Sequence, residues 1–130
     1  MSTLTDFLAE HPVNDLQKEV VVSSRLAEHP FLVRGVSAEE IESYGRLCRK
    51  QEKGGSVFDA AKCNLLLVLN HCTVPDFRSV ELLENCGCAT PEESVNQTLK
   101  AGEIAYLAKA IYELSGYGES LTALKEQVKN

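Results

Sequence analysis

Leu65-Leu66-Leu67-Val68-Leu69 is the longest purely aliphatic run in the chain. Successive residues on an α-helix are about 100° apart, so five in a row face every direction. A helix that is apolar all round must be surrounded on most sides by other elements. The run therefore demands a domain with several elements packed about one central helix. Asp59 is placed to cap that helix, which is expected to run to about Thr73 before Pro75 stops it. The run is far shorter than the roughly 20 residues a membrane span needs.

Periodic apolar positions supply the surrounding elements. Residues 3–10 predict a two-turn helix, capped by Ser2 or Thr3, with Leu4, Phe7 and Leu8 on one face and His11-Pro12 ending it. Ser37-Ala38-Glu39-Glu40 is a capping box, and Ile41, Tyr44, Leu47 and Cys48 form a stripe behind it. This helix is expected to extend to Gly54-Gly55. Ser79 caps a short helix carrying Val80, Leu82 and Leu83, which Gly87 ends. Thr90-Pro91-Glu92-Glu93 starts another, with Pro91 at the first helical position and Glu93 reaching back. Ala101, Ile104, Leu107, Ala108, Ile111 and Leu114 make the best amphipathic stripe. The final segment holds either two helices or one kinked at Gly102. After Gly116-Tyr117-Gly118, Leu121, Leu124 and Val128 form a last narrow stripe.

Two short segments have a different character. Residues 19–25, with Val20, Val21 and Val22, and residues 31–36, with Phe31, Leu32 and Val33, suit a pleated surface. Ala27-Glu28-His29-Pro30 joins them, so a hairpin is the simplest topology. The expected fold is α+β and mostly α, an N-terminal β-hairpin packed on a bundle of about five helices. It is expected as a single domain over residues 1–130, with the short helix and hairpin in 1–36 and the helical part in 37–130.

Charge and motif content exclude several functions. The net charge is −6, which disfavours a phosphate backbone as partner. The clearest basic cluster, Arg46, Arg49, Lys50 and Lys53, shares its predicted helix with Glu39, Glu40, Glu42 and Glu52, and reads as a salt-paired surface. Five cysteines cannot all pair within one chain, and no basic and apolar leader precedes them, so they are expected as reduced thiols. His71-Cys72 with Cys86-Gly87-Cys88 is the only constellation worth weighing for zinc. Its Cys-x-Cys spacing is tighter than structural sites use, and no second pair exists. His71 and Cys72, adjacent on a helix, point apart, so a thiol-imidazole pair is not expected. Glu39-Glu40 and Glu92-Glu93 sit in first helical turns, where the helix dipole accounts for them. No phosphate-binding glycine pattern surrounds Gly54-Gly55.

The C-terminal third resembles a known family. Leu99-Lys100-Ala101-Gly102-Glu103 matches its Leu-x-x-Gly-Glu turn opening a helix, a small glycine turn follows at Gly116, and the chain closes on Lys129-Asn130. Upstream, Leu4-Thr5-Asp6-Phe7-Leu8, the two strand segments, Ser37-Ala38-Glu39-Glu40 and Pro75-Asp76 through Leu82-Leu83 to Gly87 follow the same order. The chain is similar to the XkdN-like phage tail assembly chaperones over nearly its whole length. Its five cysteines depart from that pattern.

The resemblance implies a non-enzymatic binding protein without catalytic residues, cofactor or metal. It implies work in the bacterial host cytoplasm, where the tape-measure protein is kept soluble until tail-tube subunits polymerise around it, and absence from the mature virion. The tail-tube protein is a further expected partner; nucleic acid and membrane are not. Two partner-binding surfaces are expected. The Leu4, Phe7 and Leu8 face would lie in a groove, and the hairpin edge near Val20 and Val22 would add a strand. Both could equally be core. Open edges and apolar ends also allow a homo-oligomer. The competing readings are a small cytoplasmic adaptor or regulatory domain, and a metal-binding module built on Cys72, Cys86 and Cys88.

Overall fold

The computed structural model describes residues 3–12 and 15–116. Among the described residues, twelve elements follow one another along the chain. They are helix α1 (Thr3–Glu10), strand β1 (Gln17–Val20), a 3-10 turn (Ser24–Leu26), β2 (Phe31–Arg34), α2 (Ala38–Leu47), β3 (Arg49–Glu52), β4 (Gly55–Phe58), α3 (Ala60–His71), β5 (Cys72–Val74), α4 (Val80–Cys86), α5 (Pro91–Thr98) and α6 (Ala101–Leu114). The fold is α+β and mostly α, as the periodicity indicates.

α3 is the central element. It packs against α2, α5 and α6 and continues directly into β5. Asp59 caps it, its carboxylate accepting from the Lys62 amide at 3.1 Å. Leu67, Val68 and Leu69 are buried, while Leu65 and Leu66 are partly buried against the same core. α6 crosses α3 and covers the sheet, burying Leu107, Ala108, Ala110 and Ile111.

Local stops and starts behave as capping chemistry requires. Ser37 and Glu40 form a reciprocal capping box on α2. Ser79 Oγ accepts from the Leu82 amide, and Gly87 ends α4 at φ +69°, a left-handed angle that glycine adopts without a Cβ penalty. Thr90 Oγ1 accepts from the Glu93 amide at 3.2 Å, but Glu93 reaches back to the Ala89 amide, one residue before the expected one. The final segment is two helices, not one kinked at Gly102: α5 ends at Thr98, and Leu99 and Lys100 leave the helical region with ψ near 150°. Ser2, Tyr117, Gly118 and the stripe Leu121, Leu124 and Val128 lie outside the described residues.

Three expectations need correction. The N-terminal strands are shorter than expected, because the chain leaves β1 after Val20 and coils through the 3-10 turn before Phe31. The central helix ends at His71 rather than Thr73. Cys72–Val74 pairs antiparallel with β2, giving a three-stranded sheet in the order β1-β2-β5. β-branched Thr73 and Val74 lie just before Pro75, which biases them towards extended angles.

The third correction is the largest. α2 stops at Leu47 instead of reaching Gly54-Gly55, and residues 49–58 form a second, separate hairpin, β3 with β4. Its two-residue turn is Lys53-Gly54. Gly54 and Gly55 have φ of +93° and +132°, angles available to glycine alone at low cost. Beyond Cys48 the sequence Arg49-Lys50-Gln51-Glu52 has no apolar residue to continue the stripe on α2, so nothing holds a helix there. The basic cluster therefore divides between the end of α2 and this hairpin.

Candidate functional site

Two polar clusters inside the fold arise from residues whose chemistry could be functional. The first surrounds His71, at the end of α3, which is wholly buried. Its Nδ1 lies 3.2 Å from the Gly35 carbonyl, which can only accept, so Nδ1 carries the proton. Nε2 is then an acceptor, and Tyr44 Oη on α2 donates to it at 2.8 Å. Asn70 Nδ2 donates in turn to Tyr44 Oη at 3.3 Å. Burial, reinforced by the Arg34 charge, pushes the His71 imidazole down to about 4, although Glu40 stands 3.7 Å from Nε2. Such a histidine is neutral at physiological pH and fully engaged. It joins α2, α3 and the segment after β2, and has no free nitrogen for a metal or substrate.

The second cluster lies beside α6. Glu103 is nearly buried, yet it is charged. Arg25, from the 3-10 turn, makes a fork: Nε donates to Oε2 at 2.8 Å and Nη2 to Oε1 at 2.6 Å. Ser23 Oγ and the Lys100 amide donate to the same carboxylate. The Arg25 hydrogen bonds hold the Glu103 carboxyl down to about 2 against the opposing effect of burial. The Gly102-Glu103 turn is thus a clamp fastening the β1–β2 connection to the start of α6. The dipeptide is visible in the sequence but its partner is not; Arg25 is 78 residues away, and no local pattern pairs the two. Glu103→Gln is expected to lower stability by about 2 kcal/mol, the range for hydrogen bonds to a charged group. Urea unfolding measures it. The carboxylate contribution is present above the ordinary value near 4.5 and is lost as pH falls towards 2, so this variant should also flatten that part of the acid limb.

The cysteines do not gather at one site: Cys48 neighbours Cys63, and Cys86 neighbours Cys88. Cys48, Cys63 and Cys72 are buried, and Cys86 and Cys88 are half-buried. Burial pushes the thiols of Cys48 and Cys72 up to about 11 and about 12. The neighbouring Cys86 side chain raises Cys88 to about 11, and Cys88 Sγ donates to Gln97 Oε1 at 3.1 Å. Neutral thiols at these values are poor nucleophiles and poor ligands. Among the described residues no group of three or more His, Cys, Asp or Glu side chains is arranged to hold a metal ion.

The outer surface is more informative. Every residue of α1 is exposed, including Leu4, Phe7 and Leu8 at 66%, 57% and 61%. Three large apolar side chains on one exposed face of a helix are unusual for a monomer at rest. Val20 and Val22, by contrast, are core side chains. Among the described residues only β2 pairs with β1, on one side, and no strand pairs with its other backbone edge. A groove of about 270 Å³ runs between that edge and α6, from Lys18 and Val21 to Tyr106 and Lys109. The second hairpin is also exposed at all eight strand positions, with Val57 and Phe58 among them. Among the described residues no helix is long and apolar enough to cross a membrane.

Comparison with known proteins gives the family. The family model described as "Phage XkdN-like tail assembly chaperone protein, TAC" matches residues 4–129. The chain belongs to this family. Among individual relatives, the phage-like element PBSX protein XkdN of Bacillus subtilis (strain 168) is 29% identical over 139 residues, covering 98% of this chain and 93% of that protein. The crystal structure of the protein yqbn shares the fold, with a TM-score of 0.64 and 19% identity over 89% of this chain and 98% of that one. In this XkdN-like chaperone the Gly-Glu turn is the Glu103 clamp.

Proposed function

We propose that this XkdN-like chaperone is a non-enzymatic binding protein that keeps the tape-measure protein soluble during assembly of a long phage tail. The observation that carries the reading is the α1 face. Leu4, Phe7 and Leu8 stand exposed on a protein whose family works in tail assembly. A tape-measure protein is a long helical chain whose apolar stripes tend to self-associate. An amphipathic helix can cover such a stripe by helix-to-helix packing, and the acidic exterior keeps the complex dissolved. The open edge of β1 is a second contact, available to an extended segment. Reversible contact suffices, with no bond made or broken. The work is done in the host cytoplasm, and the chaperone leaves before the virion is complete; tail-tube subunits displace it.

Co-expression with the tape-measure protein of the same phage tests this. The expected result is a several-fold rise in soluble tape-measure protein, largely lost with Phe7→Ser/Leu8→Ser. These positions are exposed, so the double variant should fold normally by circular dichroism. No gain in solubility from the unaltered chaperone would overturn the assignment. Peptides of the chaperone in purified virions, at the level of structural proteins, would overturn its departure.

A further inference from the structure

The β3–β4 hairpin is the least expected part of the fold, and its surface is unlike that of the rest of the chain. A two-stranded hairpin is marginal in water unless something covers a face. All eight strand positions here are exposed, and Val57, Phe58 and the adjoining Leu47 present apolar surface. Residues 46–62 contain five basic and two acidic residues, where the rest of the chain has eight basic and seventeen acidic. Arg46 and Lys50 have local ion pairs with Glu42 and Glu52. Arg49, Lys53 and Lys62 have none among the described residues. The register divides these groups between two faces. Arg49 stands opposite Phe58, and Lys50 opposite Val57. Residues directly opposite point the same way, and successive residues point oppositely. One face therefore joins Phe58 to an unpaired cation, while on the other Lys50 is already neutralised by Glu52.

The hairpin leads directly into a groove. A hollow of about 520 Å³ lies among α3, α5 and the start of α6. Its lining begins at Asp59, next to Phe58 in the chain, and includes Lys62; Leu65, Ile104 and Ala105 make it mainly apolar. Leu65 and Ile104 are only partly buried against the core, so they keep apolar surface to offer. The hollow between packed helices accepts a further helix, ridge into groove. We propose that an acidic amphipathic helix of another protein docks here, its apolar stripe in the α3–α6 groove and its carboxylates beside Arg49, Lys53 and Lys62.

Nucleic acid fits this patch less well. A phosphate backbone calls for a continuous basic track. Here three unpaired cations flank an apolar hollow that has Asp59 in its lining. The α1 face selects differently. It carries Asp6 and Glu10 and no basic residue, so it repels the acidic helix that the hairpin attracts. Charge thus assigns different partner segments to the two exposed apolar surfaces. The inference goes beyond the proposed function and does not rest on it, because the two surfaces share no residue.

Fluorescence anisotropy with the full chain tests the contact. The probe is a labelled synthetic peptide of about 18 residues, long enough for several helical turns. It has leucines at helical spacing and alanines and glutamates elsewhere; a second probe replaces every glutamate by lysine. The glutamate peptide should bind at least about tenfold more tightly than the lysine peptide. That advantage should shrink in about 0.5 M salt, where screening is over about 4 Å. Phe58→Ser, Arg49→Glu/Lys53→Glu and Ala105→Glu should each weaken binding by about tenfold. Val57→Ser, on the other face of the hairpin, should weaken it less than Phe58→Ser. Val80→Ser on α4 should leave binding unchanged. All these positions are exposed, so circular dichroism should show normal folds. No saturable binding up to about 100 μM, or equal affinity for the two peptides, overturns the proposal. So does binding that is lost in Phe7→Ser/Leu8→Ser but kept in Phe58→Ser, which assigns the peptide to α1. Single-stranded DNA of the same length bound more tightly than the glutamate peptide assigns the surface to nucleic acid and also overturns it. A chaperone that solubilises the tape-measure protein yet binds neither peptide overturns this inference and leaves the proposed function standing.

Discussion

Acidification from pH 7 to 4 is expected to remove about 3 kcal/mol of folding stability through His71 alone. The imidazole is held neutral in the folded state, at about 4, and titrates near its ordinary value of 6.5 once unfolded. Between those values the unfolded chain binds the extra proton, so stability rises with pH across the window. The contribution is complete above about pH 6.5 and disappears as pH falls towards 4. Each unit of difference corresponds to about 1.4 kcal/mol. The groups facing the ring explain why it resists protonation. Burial opposes an imidazolium most strongly and Arg34 repels it, while Tyr44 Oη already donates to Nε2; the Gly35 carbonyl, accepting from Nδ1, works the other way. Glu40 favours the proton but does not prevail. Urea midpoints at closely spaced pH values between 7 and 4 measure the slope. His71→Leu should be less stable at pH 7 and nearly flat across the window. An unchanged slope in that variant would show that another group is responsible.

This window is separate from that of Glu103, whose contribution fades below about pH 4.5. The acid limb should therefore have two steps, the upper set by an imidazole and the lower by a carboxylate. A similar two-part logic divides what was legible in the sequence from what was not. Spacing found α3 because its apolar run is continuous, and it found the starts of α2, α4 and α5 because each begins with a side chain that caps within three residues. Those are local signals. It missed β5 and the β3–β4 hairpin for opposite reasons. β5 is three residues at the end of a helix, and only pairing with Leu32 and Val33 makes it a strand. The hairpin carried a usable signal in Gly54-Gly55, but that dipeptide also ends helices. The absence of an apolar residue from Arg49 to Glu52 was the clue that favoured a turn back over a continued helix.

The interaction surfaces were legible unevenly. Leu4, Phe7 and Leu8 fall on one helical face whatever their role, and periodicity cannot say whether that face meets its own core. The structure exposes it. Val20 and Val22 followed the opposite course: β-branched residues in a run of three suggest an edge, yet their side chains fill the space under α6, leaving only the β1 backbone open. The His71 and Glu103 clusters depend on contacts across 36 and 78 residues of sequence. No single-sequence pattern contains such pairings, because they are fixed by the packing of α2, α3 and α6 and not by neighbours along the chain.

Phe77→Ala is expected to cost about 4 kcal/mol, within the range for truncating a buried aromatic ring. For a domain of this size the loss corresponds to about 15 °C in melting temperature. Phe77 belongs to no helix or strand. It lies in the Pro75–Ser79 connection between β5 and α4, yet it is among the most completely buried side chains, at 1% exposure. Its ring sits 6.3 Å from that of Phe31 on β2, tilted by 52°, and its carbonyl is 3.1 Å from Ser94 Oγ on α5. The residue thus anchors a loop to the sheet and to a helix together. Removing the ring leaves a cavity that two rigid elements cannot collapse to fill. Phe77→Leu keeps most of the volume and should cost less than half as much. Thermal unfolding of both variants measures the difference. Equal small losses would mean that the loop repacks freely. The expected inequality would identify this ring as the tie between the helical part and the sheet beneath α6.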